Sequence, residues 1–146
     1  MQAQIDNAFA ALNAQMLERQ LAWAARRREA VKAVAVEPGK WFSERKTNAE
    51  IEAAGGKAWR SILLSGNWAE LVKQNVAATI AKRDATIIAA LTKKGITAIA
   101  DFELTHTSDG AEGTFEVDGH RVTIRTILAG GYNIQCLHQR TLVKVA

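Results

Sequence analysis

Cysteine occurs once in the 146 residues, as Cys136, and proline once, as Pro38. A lone thiol excludes an intramolecular disulfide framework and fits a reducing, cytoplasmic setting. Long apolar runs are also missing. The stretch Ile87–Leu91 is as long as they get, far short of the ~20 residues that span a bilayer. No membrane association is therefore expected. The opening residues, Met1 to Asp6, carry neither a basic region nor an apolar one, so no signal peptide is expected. No glycine-rich phosphate loop is present, because Gly55-Gly56 lacks the strand before it and the helix after it. Neither a Ser-His-Asp set nor a paired-carboxylate site can be assembled. There is no internal repeat and no low-complexity segment.

What remains is an ordinary globular composition, 48% hydrophobic and 23% charged. At this length one domain, residues 1–146, can bury a real core. The formal net charge is +4, with an isoelectric point near 9.5. Residues 1–94 hold fifteen Lys/Arg against nine Asp/Glu, and residues 95–146 hold four against six. Within the second part all six acids lie between Asp101 and Asp118, and all four bases between Arg121 and Lys144. That separation favours an anionic partner for the last strands.

Residues 1–36 read as one long helix. Good helix formers dominate, and Ile5, Phe9, Leu12, Met16 and Trp23 share a stripe. Pro38-Gly39 closes it. Such a helix is roughly 48 Å long, longer than a compact domain of this size is wide. Such a helix either breaks, projects or packs on a partner subunit, and the last is the expectation: a homo-oligomer. Residues 47–94 read as further helices. Thr47 and Glu50 form a capping-box pattern, Gly55-Gly56 interrupts, and Asn67 to Glu70 repeats the capping logic. Lys93-Lys94-Gly95 is a stop signal. Val72, Val76, Ile80, Ile87 and Leu91 mark the buried face of the last helix.

From residue 96 the period changes to two. Ile96, Ala98, Ala100, Phe102 and Leu104 alternate with more polar residues, which predicts a strand. His106–Gly113 reads as a polar loop. Asp118-Gly119 is the strongest hairpin signal in the chain, and Gly130-Gly131 reads as a second two-residue turn. The fold class is α+β: N-terminal helices, one of them long, then an antiparallel meander of four or five strands across 96–145.

The first turn sets Val117 opposite His120, Glu116 opposite Arg121 and Phe115 opposite Val122. Carrying the register through Gly130-Gly131 sets Ile127 opposite Ile134, Arg125 opposite Cys136, Thr123 opposite His138 and Arg121 opposite Arg140. One face then collects Arg121, Thr123, Arg125, Tyr132, His138, Arg140 and Lys144. Two arginines directly opposite each other repel, and an anion between them relieves the cost. Tyr132 adds a ring on which a base can stack. This is the candidate site for a nucleotide or nucleic acid. The bland alternative is a solvated outer sheet face.

Arg26, Arg27 and Arg28 form a secondary basic patch, weakened because successive helical residues point about 100° apart. Trp41 and Phe42, two large aromatics just after Pro38-Gly39, must be buried against something, either the chain's own core or a host protein, and are the candidates for partner contact. Cys136 and His138 share one side of a strand but lie about 7 Å apart, too far for a thiolate–imidazole pair. Metal binding by Cys136, His138 and either His106 or His120 needs convergence that the spacing does not show. No catalytic residue, cofactor or metal is expected. Two functions follow from these residues. The first is a non-enzymatic binding protein for an anionic partner. The second is a small inhibitor or adaptor of the kind phages encode, acting by protein contact. Salt distinguishes them, since ionic binding weakens steeply with it and apolar contact does not.

Overall fold

Gln2–Val36 form one uninterrupted helix, α1, of 35 residues, about 52 Å long. The computed structural model describes residues 1–36, 62–108, 110–128 and 139–146. The next long helix among the described residues, α2, spans Trp68–Lys93. Four strands follow: β1 Thr105–Thr107, β2 Gly110–Val117, β3 His120–Leu128 and β4 Gln139–Val145. They form one antiparallel sheet in chain order, β1-β2-β3-β4. The architecture is α+β, with the meander at the C-terminal end. The capping box at Thr47, the Gly55-Gly56 break and the Gly130-Gly131 turn lie outside the described residues.

α1 and α2 pack antiparallel. The first turn of α1 meets the second half of α2 through Gln2 and Asp84. Near the other end, Arg28 reaches Trp68 at the start of α2. Two apolar clusters divide the length of α1. Ile5, Phe9, Leu12 and Met16 join Ile87 and Leu91 of α2 and Val122 and Ile124 of the sheet. Trp23, Ala24 and Val31 join Leu63, Val72 and Val76. The stripe read as a seam between subunits is therefore covered by the chain itself. Ile5 and Phe9 are fully buried, each worth about 1.5–3 kcal/mol. The length of α1 accommodates two cores in tandem, and a second subunit is not needed to cover it.

α2 begins after Asn67, as its sequence suggests, although the Asn67 side chain makes no capping hydrogen bond. Its end follows the stop signal closely. Gly95 has φ +78°, the left-handed geometry that glycine enters without a Cβ penalty. The Gly95 N–H donates to Thr92 O at 2.9 Å, and the Ile96 N–H donates to Leu91 O at 3.1 Å. This is a Schellman closure, and Ile96 packs with Leu91 in the same cluster as such closures require.

Residues 96–104 are not a strand. The buried positions are Ile96, Ile99 and Phe102, while Ala98 and Ala100 are exposed. The spacing is three, not two. The two alanines made the alternation look apolar, but they bury too little area to decide which way the segment faces. The segment crosses the inner side of the sheet, where Phe102 stacks on Phe115 with centroids 4.6 Å apart. The stretch taken as a polar loop, His106–Gly113, instead supplies β1 residues and the start of β2.

The Asp118-Gly119 hairpin is as expected. Val117 pairs with His120, Glu116 with Arg121 and Phe115 with Val122. Both turn residues have positive φ, 50° and 77°, as a two-residue primed turn needs. The β3–β4 register differs from expectation. Thr123 pairs with Lys144, Arg125 with Leu142, Ile127 with Arg140 and Leu128 with Gln139. Ile134, Cys136 and His138 are thus not the partners of Ile127, Arg125 and Thr123. Arg121 exchanges backbone hydrogen bonds with Ala146, so it does not face Arg140. The pairing of Leu128 with Gln139 is six residues away from the register expected through a two-residue turn at Gly130-Gly131, residues that lie outside the described ones. Burial drives this choice. In the observed register Val143 and Val145 pack against the core that holds Val122 and Ile124.

Gly113 marks the closest approach of the 96–104 segment to the sheet. A Cβ there would stand 2.8 Å from both Glu103 O and Leu104 Cδ2. Gly113→Ala is expected to cost about 1–3 kcal/mol by overpacking. Gly66→Ala, where a Cβ meets nothing within 4 Å, is expected to stay within about 0.5 kcal/mol. Urea midpoints of the two variants check this contrast.

Candidate anion-binding face

The sheet has two unlike sides because side chains alternate along each strand. The inner side carries Ala111, Phe115, Val122, Ile124, Thr126, Val143 and Val145 against the helices and the 96–104 segment. The outer side carries Glu112, Thr114 and Glu116 on β2, then Arg121, Thr123, Arg125 and Ile127 on β3, then Arg140, Leu142 and Lys144 on β4. Glu112, Glu116, Arg121, Arg125, Arg140 and Lys144 are all exposed. Four of the sequence-predicted cations therefore do share one face. Tyr132 and His138 lie outside the described residues, as do Trp41, Phe42 and Cys136.

The charges on this face are ordered by register. Arg121 stands opposite Glu116 and Arg125 opposite Glu112. A cross-strand pair of this kind adds little stability at the surface. Arg140 and Lys144 are placed differently. Their neighbours on β3 are Ile127 and Thr123, and neither carries charge. Thr123 Oγ1 lies 3.3 Å from Thr114 Oγ1 across the next pair. Leu142, 44% exposed, separates Arg140 from Lys144. Glu112, opposite Arg125, went unremarked in the sequence because β2 was read as starting at Thr114.

The arginines of α1 divide in another way. Arg28 is structural. Its Nη1 donates to Leu63 O and, at 2.7 Å, to Ser65 O, and its guanidinium lies 5.8 Å from the Trp68 ring. Arg27 is half-buried and has an interaction of its own. Arg26 is exposed. The three do not form one patch.

One buried charge pair was missed entirely. Arg83 is 3% exposed and Asp84 5%. Arg83 Nη2 and Nε donate to Asp84 Oδ1 at 2.8 and 3.1 Å, and Nη1 donates to Asn13 Oδ1 at 2.6 Å. The guanidinium carbon sits 3.9 Å from the centroid of the Phe9 ring, a desolvated cation–π contact. Asp84 Oδ2 accepts from Gln2 Nε2 at 2.9 Å, and the same Nε2 lies 2.8 Å from Asp6 Oδ1. Burial lowers the Arg83 pKa, and the hydrogen bond and charge of Asp84, with the charge of Asp6, oppose that. The signal in the sequence is an arginine on the apolar stripe of α2, between Val76 and Ile87.

An open groove of about 680 Å³ runs along α2, lined by Ala77, Ile80, Ala81, Ala85, Ile88 and Ala89. Gln2, Asp84 and Thr92 complete the lining, and Asp84 is held by Arg83 and Gln2. Among the described residues, no three His, Cys, Asp or Glu side chains converge as metal ligands. None of the described helices is long and apolar enough to cross a membrane.

The chain matches no known protein family model, no curated protein and no solved structure.

Asp84→Ala is expected to cost about 3–5 kcal/mol, because it leaves the Arg83 charge buried and unpaired. The double variant Arg83→Met/Asp84→Ala removes the charge as well and is expected to be more stable than Asp84→Ala alone. Chemical denaturation of both variants checks the order.

Proposed function

We propose that the protein is a non-enzymatic binding protein whose outer sheet face holds an anionic partner. One observation carries this reading. Arg140 and Lys144 project from an edge strand on the exposed side of the sheet, with uncharged residues opposite both. An exposed cation without a directly opposed acid keeps its field for a ligand. Strand residues also hold fixed spacing, which suits anion recognition better than three arginines fanned around a helix. The buried pair Arg83–Asp84 closes on itself and so serves packing, not chemistry. The earlier idea of a two-arginine clamp between Arg121 and Arg140 is replaced by a β4-centred site.

Heparin chromatography at neutral pH tests the reading. The wild-type chain is expected to bind and to elute only with added salt, because counterion release governs such contacts. Arg140→Ala/Lys144→Ala is expected to elute at clearly lower salt, and Arg26→Ala close to wild type. All three positions are exposed, so stability changes should stay within about 0.5 kcal/mol. Equal elution of the wild type and the double variant would remove the face from consideration.

A further inference from the structure

The β3–β4 register places four cations in a single file. Arg140 stands level with Ile127, Leu142 with Arg125, and Lys144 with Thr123. Arg121 is level with Ala146. Read along the strand axis, the order is Arg140, Arg125, Lys144, Arg121. Each lies one two-residue step beyond the last, roughly 7 Å along the axis. The cations alternate between β4 and β3, so successive ones are diagonal neighbours about 7–8 Å apart. The file is about 20 Å long and two strands wide. The acids lie to one side of it, Glu112 and Glu116 on β2, each next to the β3 arginine it faces.

We propose that this file is a lane for the backbone of single-stranded nucleic acid. The proposal rests on the anion-binding reading above and narrows it to one class of ligand. A repeat of one cation per two-residue step is of the same order as the separation of successive phosphates in an extended single strand. Four contacts in a line therefore fall on four consecutive phosphates without bending either molecule. A duplex is matched less well. Its phosphates curve away from a flat sheet, and its grooves take a helix or a two-stranded ribbon end-on, not a sheet face laid flat. The acidic row on β2 repels a polyanion and confines it to the β3–β4 side. Leu142, 44% exposed, lies between Arg140 and Lys144, and Ile127, half-buried, lies beside Arg140 at the end of the file; both offer apolar contact to bases. The contacts are to phosphates, so the lane reads backbone and not sequence.

The test is fluorescence anisotropy with a labelled oligothymidylate of about 12 nucleotides, within the usual range of single-strand site sizes. The same oligonucleotide as a blunt duplex, and heparin, serve as competitors. The full chain is used throughout. Single strand is expected to bind at least tenfold tighter than duplex. The plot of log affinity against log salt is expected to fall with a slope near −3, as for about four phosphates on a single strand. Arg140→Ala/Lys144→Ala should roughly halve that slope. Glu112→Gln/Glu116→Gln should tighten single-strand binding several-fold, a gain that misfolding does not produce. Duplex binding as tight as single strand, or a slope unchanged in the double alanine variant, overturns the lane but leaves heparin binding standing. Failure to bind heparin as well overturns the anion-binding reading too.

Discussion

The Arg83 guanidinium, clamped between the Phe9 ring and the Asp84 carboxylate, sets how the two long helices meet. It lies 3.9 Å from the ring centroid and 2.8 Å from the carboxylate, and both charged side chains are buried. A buried ion pair is not a strong source of net stability, because desolvating both ions offsets most of their attraction. It is demanding about position. Sliding α1 by one turn along α2 would take Phe9 from the guanidinium and Asn13 from its Nη1. Apolar contacts alone tolerate such a slide far better, since the stripe of α1 repeats every three to four residues. We read the pair as the feature that selects one alignment of the helices among several that bury similar area.

That alignment carries through to the outer face. With α1 and α2 fixed, the Schellman closure at Gly95 aims residues 96–104 across the sheet. Phe102 then stacks on Phe115, and Glu103 and Leu104 close over Gly113. The inner positions of the strands are thereby specified one by one. Period two does the rest, because each inner residue fixes the direction of its neighbours. The file of cations is thus a consequence of core packing. Nothing on the outer face needs to hold itself in place. Thr123 and Lys144 face outward together because Ile124 and Val143, their neighbours along the strands, face the core.

Local signals were the legible part of this sequence. Asp118-Gly119 could be read because a two-residue turn needs positive φ at both positions, and few residue pairs accept that. Gly95 and the lysines before it could be read for the same kind of reason. Where the outcome depended on distant packing, reading failed. Arg83 lies on the apolar stripe of α2, but its partners Phe9 and Asn13 are some seventy residues away in the chain, Asn13 being separated from it by 70. Alanines at 98 and 100 mimicked an alternation that the heavier side chains, Ile96, Ile99 and Phe102, do not follow. β1 was invisible because its three residues are all exposed, so no alternation of buried and exposed positions marks it.

The β3–β4 register shows how a site can be half right. The expected pairing set Arg121 against Arg140, and the observed one sets Ala146 there, a slip of six residues. Six is even. An even slip leaves every side chain on the face it had, whereas an odd one exchanges the faces. Arg121, Arg125, Arg140 and Lys144 therefore stayed together while their neighbours changed. What the slip altered is the geometry of the charge. In the expected register two arginines face each other and define a point site for one phosphate. In the observed register Lys144 falls level with the gap between Arg125 and Arg121 and Arg140 lies one step beyond Arg125, so the charge is drawn out into a line. Composition supplies the four cations of this face and register sets their layout, which is why the proposed ligand class rests on the pairing of β3 with β4 and not on the residue types alone.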